Sequence, residues 1–277
     1  MQKTNTLSEC ANAVHSGDYD RFLCTLFAPA VSREAIFALL ALNLEIARIP
    51  EVTQEDIIAH IRYAWWREAL GECAEGKPTK RHAIINVLHD YIFNKTLNIN
   101  IINDYINARC VDIECKPPAS IDALIAYCSN TSGNLSMLMA QAMNVTATSH
   151  SEAVRQSGTA WALIGLLRAF RFHALQGRLT LPPDLLSDAG LSLERVIQGE
   201  WNNGLAEAVK KIVDMSVQLI QGNQKIYDDN ISCLNYFKRQ DALTRAYVRR
   251  LRARDYNITQ PTLEYGKLRK LFILLRG

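Results

Sequence analysis

The apolar residues of this chain recur with the period of an α-helix. Between 32 and 48, Ile36, Leu39, Leu40, Ile46 and Ala47 follow i, i+3, i+4 spacing, which stacks them along one face. Ser32 is placed to cap this helix, with Glu34 in its first turn near the positive end of the dipole. Pro50 is expected to end it, because its ring clashes with the carbonyl four residues back and biases Ile49 to extended geometry. The same periodicity predicts helices over 54–75, 81–95, 99–109, 120–143, 150–174, 203–226, 236–254 and 262–275. Ser120 and either Ser149 or Ser151 are the expected caps for two of them. The prolines fall between these segments or at their starts. Strand-like alternation is confined to 98–102, and helix is preferred there too. No repeat and no low-complexity linker divides the chain. The expectation is one all-α domain over 1–277, a bundle of roughly ten helices.

Composition narrows the class. The chain has 277 residues, 48% hydrophobic and 21% charged, so a disordered polar chain is excluded. Seven Cys without a CxxC pair argue against a disulfide framework or a structural zinc site. Scattered buried thiols in a reducing compartment are the simpler reading. The six His form no HxxxH or HExxH spacing. The longest apolar runs, Ala35–Leu42 and Ala160–Leu167, have eight residues each, whereas a spanning helix needs about 20. The N-terminus lacks an apolar secretory core and an Arg-rich amphipathic start. The expected location is therefore cytoplasmic, at most peripheral to the inner face of the cytoplasmic membrane.

Generic catalytic motifs are missing: no P-loop, no GxSxG, no Gly-rich dinucleotide turn. Two longer segments carry more. Residues 33–51, REAIFALLALNLEIARIPE, resemble the RxAIxALYAFCRxxDDxxD stretch of the squalene/phytoene synthase family. Residues 166–182, LLRAFRFHALQGRLTLP, are similar without a gap to that family's ILRDVxxDxxRGRxYLP. Trp66–Leu70, the Tyr127 to Gly133 stretch and Gly190–Ser192 follow in the expected order. The resemblance covers nearly the whole chain and implies an isoprenoid synthase bundle.

The resemblance also implies chemistry that these residues do not supply. Family enzymes join two prenyl diphosphates head to head, and Mg²⁺ neutralises the departing pyrophosphate. Mg²⁺ is a hard cation that wants carboxylate oxygen, which two Asp-rich motifs provide. Here the three Asp positions of the first motif fall on Ala47, Arg48 and Glu51. The two of the second fall on Ala169 and His173. Ala162 and Gly165 replace a Gln and an Asn one and two turns earlier, and Leu44 replaces an Arg. Only Glu51 keeps a carboxylate, and a break at Pro50 would take even that off the shared face. Arg48 would repel a cation. No metal and no resident cofactor is expected, with Mg²⁺ relevant only to residual prenyltransferase activity.

Other residues admit two readings. Arg168 and Arg178 are retained and suit a helix exit, yet an Arg pair also binds phosphate. Trp65 and Trp66 are core aromatics or the lining of an isoprenoid pocket. Ala162, Gly165 and Ala169 either allow close helix packing or widen an apolar cavity. His173 is a packed residue or a leftover ligand, and Glu45 with Glu51 could hold one metal.

The charge is uneven. The last 42 residues carry 11 Lys/Arg and three acids, a net of +8, against −5 for residues 1–235. Within 236–254, Tyr236 or Phe237, Leu243, Tyr247 and Leu251 share a stripe. The segment reads as a packed helix with a solvated basic face, or as a basic amphipathic helix on an anionic membrane through Arg249, Arg250 and Arg252. No nucleic-acid motif supports a third reading.

LLRAxxxH at 166–173 and the segment 255–263, DYNITQPTL, resemble one branch of the family, the assembly factors of respiratory complex I. That resemblance implies a non-catalytic assembly factor whose partners are complex I subunits or assembly intermediates. The alternatives are an active prenyltransferase condensing two prenyl diphosphates, and a lipid- or isoprenoid-binding protein.

Overall fold

A computed structural model describes residues 7–53, 55–77, 81–145, 148–227, 232–260 and 263–276. The expectations that fall on Gln54, Pro78, Pro261 and Thr262, or on the side chain of Ser149, lie outside what is described. Among the described residues every regular element is helical, as the periodicity predicts. In chain order, α1 (Glu9–Gly17) and α2 (Tyr19–Thr25) lead into α3 (Arg33–Val52), and α4 (Asp56–Ala74) and α5 (Ala83–Phe93) return against it. Then come α6 (Ile99–Cys110), α7 (Ile121–Cys128), α8 (Asn134–Ala142) and the long α9 (Thr148–Leu175). Two short helices, α10 (Pro183–Asp188) and α11 (Leu193–Ile197), precede α12 (Asn203–Ile220) and α13 (Asn223–Tyr227). α14 (Asn235–Arg252) and α15 (Lys267–Arg276) close the chain. No described helix is long and apolar enough to cross a membrane.

α9 is the axis of the packing, with α8, α12 and α14 against it. Its face towards α8 is fixed by Gly158, where an added Cβ would come within 2.4 Å of the Ser132 carbonyl oxygen. Ser132 lies in a π-helical turn, Ser129–Gly133, that breaks the single helix expected over 120–143. The extra residue in that turn re-aims α7 relative to α8. Caps settle other boundaries. The Asn98 side chain accepts from the Asn100 amide at 2.9 Å, committing 98–102 to helix, and Ser120 accepts from Ala123 at 3.1 Å. Ser32 precedes α3 without a side-chain cap bond, and Ser151 lies inside α9 rather than at its cap.

Pro50 does not end α3, contrary to expectation. It sits in the last turn, where the missing N–H leaves one orphaned acceptor, the Ile46 carbonyl. The Tyr63 hydroxyl of α4 lies 3.5 Å from that oxygen while donating to the Arg109 carbonyl at 3.0 Å. Glu51 therefore stays on the Ala47 face, one turn on.

α14 is a core helix. Tyr236, Phe237, Leu243, Tyr247 and Leu251 are all buried, so of the two readings of this stripe the packed helix is the one observed. Asp241 is buried with it, accepting from Ser157 at 2.5 Å and Asn223 at 3.3 Å. Burial pushes its carboxyl up to about 7.

A charge cluster joins the two ends of the chain. Buried Asp20 of α2 accepts from Arg168 of α9 at 3.1 Å and from the Tyr247 hydroxyl of α14 at 2.7 Å. The Lys270 ammonium of α15 lies 2.6 Å from its other oxygen. Glu264 completes the group, bonded to Arg168 and, at 2.9 Å, to Lys270. The Arg168 guanidinium also lies over the Tyr247 ring, 3.6 Å from its centroid. Burial pushes the Glu264 carboxyl up, but Arg168 and Lys270 outweigh it and hold it down at about 2. Asp20→Ala would leave two cations against one half-exposed carboxylate. Because an uncompensated buried charge is costly, urea denaturation should report a loss of about 3–5 kcal/mol; a loss below about 1 kcal/mol would mean the cluster is a solvated surface pair.

Candidate functional site

The C-terminal half of α3, the end of α6, α7 and the C-terminal half of α9 enclose a cavity of about 490 Å³. Its wall brings together Ala47 and Glu51 from α3, Arg109 and Asp112 at the end of α6, Tyr127 from α7, and His173 from α9. Arg178 and Thr180 complete it from the segment after α9.

Arg178 reaches the wall through the exit of α9. Gly177 adopts φ of 73°, the left-handed conformation glycine tolerates best. The Arg178 amide then donates to the His173 carbonyl and the Gly177 amide to that of Ala174, both at 2.9 Å. This Schellman closure sets Arg178 beside the last turn of α9. Burial, and secondarily the Arg178 cation, hold the His173 imidazole below its ordinary value.

The opposite wall is a hydrogen-bonded network that sequence patterns do not single out. Half-buried Arg109 donates to the Tyr127 hydroxyl at 2.8 Å and to Asn43 at 3.2 Å, with Asp112 at 3.4 Å. Tyr127 donates to Asp112 at 2.8 Å, and Tyr105 to Asn43 at 3.2 Å. Three buried polar atoms in the wall have no hydrogen-bond partner: Arg109 Nε, His173 Nδ1 and Thr180 Oγ1.

Other predicted positions lie elsewhere. Arg48 and Glu45 are exposed and not in the wall. Ala169 is half-buried and also outside the wall. Arg168 is committed to Asp20 and Glu264, the structural one of its two readings. Trp66 is buried edge-on against Trp65 and His82, a core aromatic. Gly165 has nothing within 4 Å of an added Cβ, so it opens space where Gly158 closes it. On α14, Arg249 is exposed, Arg250 lies 4.7 Å from the Tyr265 ring centroid, and Arg252 bridges to Asp214 at 3.2 Å.

The donor set decides whether Mg²⁺ fits. Three described wall residues carry carboxylates: Glu51, Asp112 and Glu114. Asp112 is held by Arg109 and Tyr127, and Glu114 pairs with Lys116 at 2.9 Å. Glu51 faces Ala47 and His173 positions, which add no oxygen. Among the described residues no group of three or more His, Cys, Asp or Glu is arranged to hold a metal. A near-octahedral cage of carboxylate oxygens cannot be assembled from these side chains, and no step is derived through one.

Comparison with known proteins follows the same outline. The family model described as squalene/phytoene synthase matches residues 14–270. The chain is 23% identical over 256 residues to NADH dehydrogenase (ubiquinone) complex I, assembly factor 6 of Bos taurus, covering 92% of this chain and 76% of that one. It is 24% identical over 269 residues to the chloroplastic phytoene synthase of an Oncidium hybrid cultivar, covering 90% and 62%. A crystal structure of a dehydrosqualene synthase with ligand superposes with a TM-score of 0.82 at 14% identity, covering 96% and 93% of the two chains. At that identity the likeness is one of fold.

An NMR pH titration should place His173 below 6.5, the ordinary imidazole value. A lowered value means the unfolded chain binds the proton more readily, so this group's contribution to stability is present above 6.5 and lost as pH falls below it. Arg178→Ala should return the value only part of the way, since burial is the larger cause. A value at or above 6.5 in the intact protein would contradict the placement of His173.

Proposed function

The chain belongs to the squalene/phytoene synthase family, and on that premise we propose that it is a non-catalytic member serving the assembly of respiratory complex I. One observation carries the loss of catalysis: Ala47 and His173 line the cavity at positions where the family resemblance calls for metal-binding carboxylates. An allylic diphosphate ionises only when its departing charge is neutralised, and the family uses Mg²⁺ for that. Of the carboxylates in the wall, Asp112 is held by Arg109 and Tyr127 and Glu114 by Lys116, which leaves Glu51, too few for a cage. This counts against the alternative of a working prenyltransferase.

The assembly role is supported by relatives that carry that name and align along 92% and 90% of the chain. The proposed location is the cytoplasm, peripheral to the inner face of the membrane. The proposed partners are complex I subunits or assembly intermediates.

A second reading is favoured by a separate observation. Arg109, His173 and Thr180, each with a buried unpartnered polar atom, line a cavity that Ala108, Leu124, Leu166 and Leu179 make largely apolar. Such a wall suits a lipid or isoprenoid that is bound and not turned over. Both readings are compatible in one protein.

Deleting the gene in its own host should lower assembled complex I and NADH:quinone activity together, and the wild-type chain supplied in trans should restore both. Unchanged levels of both in the deletion would reject the assembly role.

A further inference from the structure

α15 shows two opposed faces. Lys270 and Leu274, one turn apart, are buried, with Lys270 locked to Asp20 and Glu264. On the other side Leu268, Leu271, Phe272 and Leu275 are exposed by 86%, 42%, 53% and 64%. Their i, i+3, i+4, i+7 spacing makes one continuous apolar stripe. Cations flank it. Lys267 lies on one edge, above the Tyr19 ring, and Arg269 and Arg276 on the other.

The edge carrying Arg269 and Arg276 opens into a groove of about 480 Å³ between α14 and α15. Lys238, Arg245 and Arg249 of α14 line it with those two, and no described lining residue is acidic. Tyr227, Tyr265 and Phe272 add ring surface. The guanidinium of Arg269 lies 5.2 Å from the Tyr265 ring centroid and that of Arg276 lies 4.1 Å from the Phe272 ring centroid.

We propose that α15 is an interfacial helix. Its Leu268–Leu275 stripe lies among the acyl chains of an anionic membrane, and the α14–α15 groove receives the phosphate of a phospholipid headgroup. The charge complementarity is direct: five cations converge beside an apolar stripe that faces away from the protein. An apolar face flanked by Lys and Arg is the pattern that binds anionic bilayer surfaces. Arg is suited to the groove because its planar fork meets two phosphate oxygens at once. The inference rests on the peripheral location proposed above and names its contact. It moves that contact from the stripe of α14, which is core, to α15. The lock at Lys270 matters here, because it holds α15 rigidly with its stripe outward.

The test is flotation of the full chain with vesicles. One set is phosphatidylcholine alone; the other is phosphatidylcholine and phosphatidylglycerol in equal parts. The wild type should float with the anionic vesicles only, and high salt should release it. Arg269→Gln with Arg276→Gln should weaken partitioning about 30-fold, from about one charge contribution per Arg. Leu268→Ser with Leu275→Ser, which alters exposed positions only, should lose binding by at least about tenfold. Unchanged melting temperatures would establish that both variants are folded. If the wild type fails to float with either set, the peripheral location and this contact fall together. If the wild type floats and both variants float equally well, the location stands and the assignment to α15 is overturned.

Discussion

The fold closes on one buried carboxylate. Asp20, near the N-terminus, draws Arg168, Tyr247 and Lys270 to itself, and so fixes α2, α9, α14 and α15 relative to one another. Burying Asp20, Arg168 and Lys270 carries a large desolvation cost, offset here by close ion pairs with one another and with half-exposed Glu264. What the cluster returns is placement. It orients α9, whose last turn carries His173 and Arg178 to the cavity. It also pins the inner face of α15, leaving that helix's apolar stripe turned outward. The interior site and the exterior surface thus depend on the same set of ion pairs.

Within that frame the cavity is lined by residues other than those the family resemblance implies. Ala47 leaves room in the α3 wall, while Arg109, Asp112 and Tyr127 bond to one another across the far wall. A carboxylate paired with a half-buried guanidinium is a poor ligand for a hard cation, because the cation would have to compete with Arg109 for it. The network therefore stiffens the wall and removes a metal ligand in one arrangement. His173 and Thr180, each with a buried unpartnered polar atom, line the same largely apolar cavity, a setting better suited to holding a molecule than to ionising it.

Much of this was legible in the sequence wherever the signal is local. Helical periodicity marks α3, α6, α9 and α14, and Gly177 followed by Arg178 marks the α9 exit. The replacement of acids by Ala47 and His173 is visible residue by residue. The errors share a physical origin in tertiary contact. Pro50 looked like a stop because the Tyr63 hydroxyl that approaches the orphaned carbonyl comes from another helix. Arg168 kept two readings because its partners, Asp20 and Glu264, lie 148 and 96 residues away in sequence. Arg109 and Asp112 went unnoticed because their meaning arises only when α6 ends against α7. The stripe within 236–254 admitted both a packed and a membrane-facing reading; α14 turns it inward, whereas α15 turns part of its own apolar side outward. Burial cannot be assigned from amphipathicity when both sides of a helix find partners.

The central claim is that this chain keeps the family's fold and cavity but not its turnover. Pyrophosphate release measures that most directly, because every allylic ionisation liberates one. With purified protein, Mg²⁺ and geranylgeranyl diphosphate, release should not exceed that of a boiled control. Release above the control, dependent on Mg²⁺, would contradict the claim.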